Sequence, residues 1–474
     1  MSFQNIARAT LLPIFICLAS ACGSAEEAES LFPAGWQKSS TQDPSCFVNI
    51  SPGKWLEVFP SGNSLSFEET SRAGRVVELF DPGRQIKIKL KPDGSEIAVG
   101  DADFSPWVQG LWKPSKELPE YAEFAPVDYR LRLLYFVPTD RQPIENYTAK
   151  IRCVMKLVHS FYQVEFARRG WSKQSLLFEL DDSQQPIVHL IRGQHAAAYY
   201  SGAPNYDVNQ QYGRLIPEIP KEIGHPSTQL IVAFMETYDS GPHHFEWPGG
   251  VALGGQWSPD GGLGIFSAWI LQDQFCATTM EAQLKLFQDE TPIVGRTALG
   301  HGRPDSPRFE FIEDGFGAVI HEVGHSLGLP HDRREDHYYI MGNGFRRLRA
   351  NLDQATPLER RARFSDANAG LLSVSRHLNP MSDRSDNQAP TGTLSLDTTE
   401  TANVYRLLID AQDDRGLAAV AVMLGGNVID GASLNGQTIS QPFEVNLETS
   451  DSATEIEVLV ADQGGNIAKL RLQD

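Results

Sequence analysis

His321-Glu322-Val323-Gly324-His325-Ser326-Leu327-Gly328-Leu329-Pro330-His331-Asp332 puts three imidazoles and a carboxylate within one short stretch. On a helix, His321 and His325 are four residues apart and project from one face, at a separation that suits two ligands of a tetrahedral zinc. Glu322 is carried just beside them. A third ligand can close the site only if the helix stops, and Gly328 can take the left-handed backbone conformation that ends it. His331 then arrives three residues later. Three neutral histidines leave zinc its full charge and an open fourth position, where the pKa of a bound water falls to roughly 7. Glu322 is the base expected to take that water's proton. Phe316, Ile320, Val323 and Leu327 give the helix a core-facing stripe beside which the histidines fall, and Asp314 is the expected N-cap. A buried helix with hydrogen-bonded histidines is the competing reading, and the extension through Gly328 and His331 weighs against it.

The extended pattern resembles the long zinc signature of the metzincin metallopeptidases. A second element follows at Tyr338-Tyr339-Ile340-Met341-Gly342, where the resemblance makes Met341 the Met-turn residue beneath the metal. It implies an α+β catalytic domain over residues 125–380, one catalytic zinc held by His321, His325 and His331, and endopeptidase activity with Glu322 as general base. The stretch from Leu134-Tyr135-Phe136 through Ile340-Met341-Gly342 also looks like a group of secreted bacterial proteins with the same zinc helix, from which no substrate carries over. His331 and Met341 are ten positions apart, at the matrixin-like end of the range. In astacins and serralysins a tyrosine just after the Met-turn methionine approaches the metal. Here Gly342 and Asn343 follow instead, so no tyrosine ligand is expected. Asp332 directly after the third histidine resembles the adamalysin pattern, which implies a residue that supports the ligands from behind. His301, His337 and the pair His243-His244 read as surface histidines.

Compartment is read from the N-terminus. Arg8, an apolar run from Leu11 to Leu18 and then Ala19-Ser20-Ala21-Cys22 form an export signal too short to span a membrane. The small residues before Cys22 resemble a bacterial lipobox, which implies a signal peptide over residues 1–21, lipid attachment at Cys22 and a tether over 22–30. Cleavage near Ala21 without lipid is the alternative. The expected location is the bacterial cell envelope, lipid-anchored, or otherwise the periplasm or medium. A formal charge of −19 argues against nucleic acid and against an anionic membrane surface as partners, leaving a membrane contact only through the lipid. Cys46, Cys153 and Cys276 remain after processing, enough for one disulfide and one spare thiol, with the pairing open. Cys46 as a latency thiolate on zinc does not fit, because Asp43-Pro44-Ser45-Cys46-Phe47 lacks the cysteine-switch motif of matrixins.

A chain of 474 residues exceeds what one core organises, so the expected fold is multidomain. Residues 31–121 read as an all-β domain: Gln85-Ile86-Lys87-Ile88-Lys89-Leu90-Lys91 alternates apolar and basic residues, then turns at Pro92-Asp93-Gly94. Trp55, Trp107 and Trp112 there line either a sugar-binding surface or, more often for such domains, a core; a pro-domain is a further option. Within 125–380, strands are expected at Arg130 to Val137, Ser175 to Phe178, Pro186 to Ile191 and Gln229 to Met235. A long helix carries Tyr147, Ile151, Val154, Val158 and Phe161, and Ser365 caps a last helix. The Gly-rich run Gly249 to Gly255 is where metzincin-like enzymes place an edge strand that pairs with an extended peptide; a structural loop fits those glycines almost as well. A linker at 381–392 leads to short strands over 393–474, the spacing of an immunoglobulin-like β-sandwich. Asp410, Asp413 and Asp414 in that region could hold calcium, though a solvated turn is the commoner arrangement and the sequence gives calcium no support.

The substrate expected is a protein or peptide, with glycoproteins as an alternative. A reading from a different class is a surface adhesin or binding lipoprotein with a vestigial zinc site. The joint presence of Glu322, three ligands and Met341 weighs against it, since a decayed enzyme is free to lose its base first.

Overall fold

The alternation of residues 85–91 belongs to an antiparallel meander that opens the described chain. The computed structural model describes residues 35–472 except 43, 52, 62–63, 115–116, 123–126, 172–173, 201–206, 241–244, 247–251, 299–303, 380–385 and 448–454. The signal segment, Cys22, the tether, His243, His244, His301, the first half of the expected linker and part of the Gly-rich run therefore lie outside the described residues. In the N-terminal region, β1 (Gly35–Lys38), β2 (Cys46–Ser51), β3 (Lys54–Val58), β4 (Ser64–Ala73), β5 (Val76–Asp81), β6 (Ile86–Lys91) and β7 (Gly94–Val99) pair in sequence order. The next segment pairs first with β7 through β8 (Ser105–Pro106) and then with β1 through β9 (Gly110–Lys113). One stretch thus joins the two ends of the meander and closes it. Trp36, Phe47, Trp55, Phe67 and Leu90 fill the interior. Trp55 is buried, with Trp107 and Trp112 packed against the same cluster, so these tryptophans serve the core.

The central region is an α/β layer structure. β10 (Asp128–Val137) lies between β11 (Val188–Arg192) and β12 (Gln229–Met235), both parallel to it. Between β10 and β11 comes α1 (Tyr147–Arg168); α2 (Ala197–Tyr200) and α3 (Val208–Leu215) precede β12. A small hairpin, β13 (Asp239–Ser240) with β14 (Phe245–Glu246), leads to β15 (Ala252–Ser258) and β16 (Gly261–Ser267). β16 joins β12 in parallel, and β15 runs antiparallel to β16 at the end of the sheet order. α4 (Met280–Leu286) and α5 (Arg308–Ser326) follow.

Both faces of this sheet are covered, which explains the continuous apolar runs of its central strands, residues 133–137 of β10 and 230–235 of β12. Leu131, Leu133 and Tyr135 face α1 and α5, while Leu134 and Phe136 face α2 and α3. β12 splits the same way, Leu230, Val232 and Phe234 against Ile231, Ala233 and Met235. The segment Ser175 to Phe178 makes one isolated bridge, Leu131 with Phe178, and forms no strand. The Leu177 carbonyl accepts from the Leu131 N–H, while the N–H groups of Leu177 and Ser175 donate to the carbonyls of His377 and Leu378.

After α6 (Leu348–Leu352) and α7 (Asp366–Ser373), capped by Ser365 as expected, the C-terminal region is built on two long strands. β18 (Val404–Leu424) and β19 (Asn427–Asn446) pair along their length, with β17 (Thr391–Thr398) on the first half of β18 and β20 (Ile456–Asp462) on the second, β21 (Ile467–Arg471) completing the sheet. The short strands expected at 404–409 and 418–423 are one ribbon, interrupted in register between Gln412 and Leu417. Both halves contribute to one interior, Leu407 and Ile409 with Val420 and Val422. The opposite face, Ala419, Ala421 and Met423, joins the core that contains α1 and α5. Two close approaches make this docking: Gly431 lies against Ala367 of α7, and Gly370 against Ala419.

Cys46, Cys153 and Cys276 are buried free thiols. Burial raises all three above the ordinary thiol value, so they remain protonated and unreactive at neutral pH. Cys46 sits in β2 against the Tyr121 hydroxyl, in the N-terminal core.

Glycines at 255 and 262 let α5 settle directly onto β15 and β16. A Cβ on Gly262 would overlap the Ser326 carbonyl oxygen, and one on Gly255 would stand 2.5 Å from the Glu322 carbonyl and 2.6 Å from His325 Cβ. Gly262→Val should therefore cost about 3 kcal/mol or more, because backbone and not a flexible side chain must move. Gly213→Ala, in open space on α3, should be neutral or stabilising. Melting temperatures of the two variants check the contrast; equal stability would contradict the packing.

Candidate metal centre

Local chain chemistry decides where the three histidines point. α5 begins at Arg308, two turns before the expected cap, because Phe311 and Ile312 already bury into the core. Asp314 is consequently inside the helix, buried, with the Arg346 guanidinium 3.6 Å away. At the other end the helix closes as a Schellman turn: the Gly328 N–H donates to His325 O and the Leu329 N–H to Gly324 O, each at 3.0 Å, with Gly328 at φ +88°. That reversal brings His331 back across the last turn.

The Nε2 atom of His325 stands 3.1 Å from Nε2 of His321 and 3.1 Å from Nε2 of His331. Nδ1 of His321 lies 2.7 Å from the Ile340 carbonyl, and Nδ1 of His325 lies 2.8 Å from the Leu329 carbonyl. A carbonyl only accepts, so the proton of each neutral ring is on Nδ1 and each Nε2 presents a bare lone pair. Two lone pairs facing each other at 3.1 Å repel unless a cation lies between them. Two nitrogens on one tetrahedral zinc, each about 2.0–2.1 Å from it, stand roughly 3.3 Å apart, so the group fits that ion. Burial, with the neighbouring imidazoles, holds His321 down to about 3 and His325 to about 4. Both are thus in the neutral form that binds metal.

Glu322 follows His321 on the helix and turns toward the edge strand. Its Oε2 is buried without a hydrogen-bond partner, and burial pushes its carboxyl up to about 8. Gly254, at φ +130° on β15, leaves the opening: the point where its Cβ would stand is 3.9 Å from Glu322 Oε2 and 3.1 Å from the Tyr212 hydroxyl. Tyr212, on α3, has its own pKa raised by burial and by Glu322. The site is therefore a cleft between α5, β15 and α3.

The surrounding residues hold the ligands from behind. Met341 is fully buried with its sulfur against Gly324, 2.6 Å from where a Cβ there would stand. Its loop supplies the Ile340 carbonyl to His321, and its own carbonyl accepts the Asp332 N–H at 3.1 Å. The Asp332 carboxylate is wholly buried and paired with Arg334 at 2.6 Å. Asn368 on α7 donates to the Pro330 carbonyl at 3.3 Å. From the C-terminal region, the Val428 N–H donates to the His331 carbonyl at 2.8 Å. Tyr338 stacks under Arg347 and Arg363, and Tyr339 donates to Glu335. His337 is exposed. Tyr212, Asn368 and Val428 were not legible beforehand: each reaches the site from an element with no motif of its own.

Two outcomes follow. Asp332→Ala should weaken zinc binding roughly 10- to 100-fold, read by competition with a chromogenic chelator; unchanged affinity would remove Asp332 from the support of the ligands. In the metal-free chain the Glu322 carboxyl is neutral when folded, up to about 8, and ionised when unfolded above its ordinary value of 4.5. Between those values the unfolded state has lost a proton that the folded state keeps, so stability falls as pH rises. The melting temperature of metal-free Glu322→Gln should gain on that of the metal-free wild type from pH 5 to 8, and a gap independent of pH would contradict the buried neutral carboxyl.

The Metallopep family model, described as "Putative peptidase family", matches residues 136–388, just over half of the chain, and spans every residue of the cleft. Among solved structures, wild-type OgpA from Akkermansia muciniphila aligns with a TM-score of 0.48 and 13% identity over 72% of this chain and 91% of that one. A catalytically inactive OgpA in complex with an O-glycopeptide, glycodrosocin, aligns with a TM-score of 0.43 and 12% identity over 72% and 91%. No curated protein matches the sequence. On the extent of the family match, the chain belongs to the Metallopep peptidase family and is a metallopeptidase.

Proposed function

We propose that the protein is an exported, zinc-dependent endopeptidase of metzincin type. The observation that carries this reading is the convergence of bare imidazole nitrogens, 3.1 Å apart, beside a buried carboxylate with one unpartnered oxygen. His321, His325 and His331 would hold the ion through Nε2. When bound there, zinc supplies a Lewis acid that polarises a peptide carbonyl and acidifies water. Glu322 takes the proton of the attacking water as the carbon–oxygen bond forms, and gives it to the amine as the carbon–nitrogen bond breaks. Burial keeps that carboxylate basic enough for the task, since its ordinary value would make it a weak base at neutral pH.

The substrate arrives along β15. This strand ends the sheet order and runs beside α5, so an extended peptide can add to its outer edge through main-chain hydrogen bonds and lie across the ligands. A peptide held as a strand continues past the cleft in both directions, which supports internal cleavage. The Tyr212 hydroxyl shares the cleft and is a candidate donor to the bound substrate. The metzincin reading is supported by three further features together: a parallel sheet with one antiparallel edge strand, a ligand helix closed by Gly328, and Met341 beneath the ligands. The C-terminal ribbon, folded over one interior, supports an immunoglobulin-like sandwich. Export and lipid attachment at Cys22 are part of the same proposal and rest on the N-terminal sequence alone.

Glu322→Gln tests it. The variant should keep close to one zinc per chain and lose at least about 100-fold in hydrolysis, assayed with casein and with a mucin-type glycoprotein, each with and without chelator. Retained, chelator-sensitive cleavage by the variant would remove Glu322 from the reaction. No cleavage of either substrate by the zinc-loaded wild type would set the endopeptidase reading aside.

A further inference from the structure

A second group of possible metal donors lies away from the histidines, where the three regions of the chain meet. One carboxylate oxygen each from Asp386, Asp413 and Asp462 falls within 4.8 Å of the others. That limit is the width of a calcium coordination sphere, whose oxygens stand roughly 2.3–2.6 Å from the ion. All three residues are buried, at 4%, 8% and 0% exposure. Burying three carboxylates together is costly unless something compensates. No lysine or arginine among the described residues forms an ion pair with any of them. The Arg376 guanidinium is directed to Asp260 at 3.3 Å, to Asn466 Oδ1 at 2.9 Å and to the carbonyls of Gly464 and Asp386. Lys54 of β3 donates to Asn466 Oδ1 at 3.0 Å.

Hydrogen bonds satisfy only part of the group. Asp462 accepts from the Asn466 backbone and side-chain amides, and Asp413 Oδ1 from the N–H groups of Arg415 and Gly416. Asp386 Oδ1 accepts from Gln388, but its Oδ2 is buried, pressed against Gly464, and has no partner. An unpartnered buried carboxylate oxygen facing two more carboxylates is the donor arrangement of a hard divalent cation, with no nitrogen or sulfur in the set.

We propose that Asp386, Asp413 and Asp462 bind one calcium ion, which pins the segment entering the C-terminal β region to its ribbon. Asp386 precedes β17, Asp413 lies at the interruption of β18, and Asp462 ends β20, so one ion would cross-link the entry segment and both halves of the ribbon. Arg376 and Asp260 extend the junction into the catalytic region, and Lys54 brings in the N-terminal one. Burial and mutual repulsion raise the Asp386 and Asp462 carboxyls, the latter to about 7; a bound cation reverses that cost. Asp410 and Asp414, the other carboxylates named from the sequence, are exposed. The site is independent of the zinc reading.

The zinc-loaded full chain, dialysed against calcium-depleted buffer, is titrated with calcium chloride by calorimetry and melted with and without saturating calcium. One calcium per chain is expected, with a rise in melting temperature on the order of 5 °C. Asp386→Asn should lose both responses while its zinc content stays near one per chain, which separates this result from any failure of the peptidase reading. Asp413→Asn carries the test if the first variant does not fold. No heat and no shift in the wild type, an equal response to magnesium chloride, or an undiminished shift in the variants would overturn the assignment.

Discussion

Three imidazoles forced to face one another are the constraint around which this molecule is arranged. Each Nδ1 that donates to a backbone carbonyl leaves its Nε2 bare, and bare nitrogens 3.1 Å apart are tolerable only around a positive charge. Holding them there takes rigid support from several directions. The Schellman turn at Gly328 returns the chain, the Met341 loop supplies the carbonyl that orients His321, and α7 steadies the strand of chain before His331. Together they fix ring orientation and tautomer, which is what a metal site requires of the shell behind its ligands.

The same helix end sets the cleft. Glycines at 255 and 262 remove the side chains that would hold α5 away from the sheet, so the turn bearing Glu322 and His325 rests directly on the edge strand. The sequence places an edge strand at the run from 249 to 255; within it Gly255 serves close packing and Gly254 opens space beside Glu322.

Legibility followed the range of the interaction. The ligand helix, Gly328, the buried strands of the central sheet and the Ser365 cap are set by residues a few positions apart, so periodicity and turn chemistry reveal them. Asp314 misled because a good capping residue is indistinguishable from a buried acid until the helix start is known, and the apolar Phe311 and Ile312 upstream moved that start. Ser175 to Phe178 has strand composition, but only one bridge ties it to β10, and its N–H groups at Ser175 and Leu177 donate to Leu378 and His377, some two hundred residues away. Tyr212, Asn368 and Val428 reach the site only through the tertiary fold, and no local pattern marks them.

Val428 bears on how the parts of the chain depend on one another. An immunoglobulin-like module after a linker suggests a passenger that could be removed without touching the chemistry. Here the tip between β18 and β19 donates the Val428 N–H to the carbonyl of the third histidine, and Asn427 bridges to the same residue. Ala419, Ala421 and Met423 complete the core in which α5 is buried. His331 lies beyond the helix end, where no helical hydrogen bond restrains it, so it is the ligand with the most freedom to lose. Restraint at that position therefore falls to the neighbouring sheet. The C-terminal region is in this sense a structural part of the metal centre, and the buried carboxylates at its base lie on the same junction that keeps it docked.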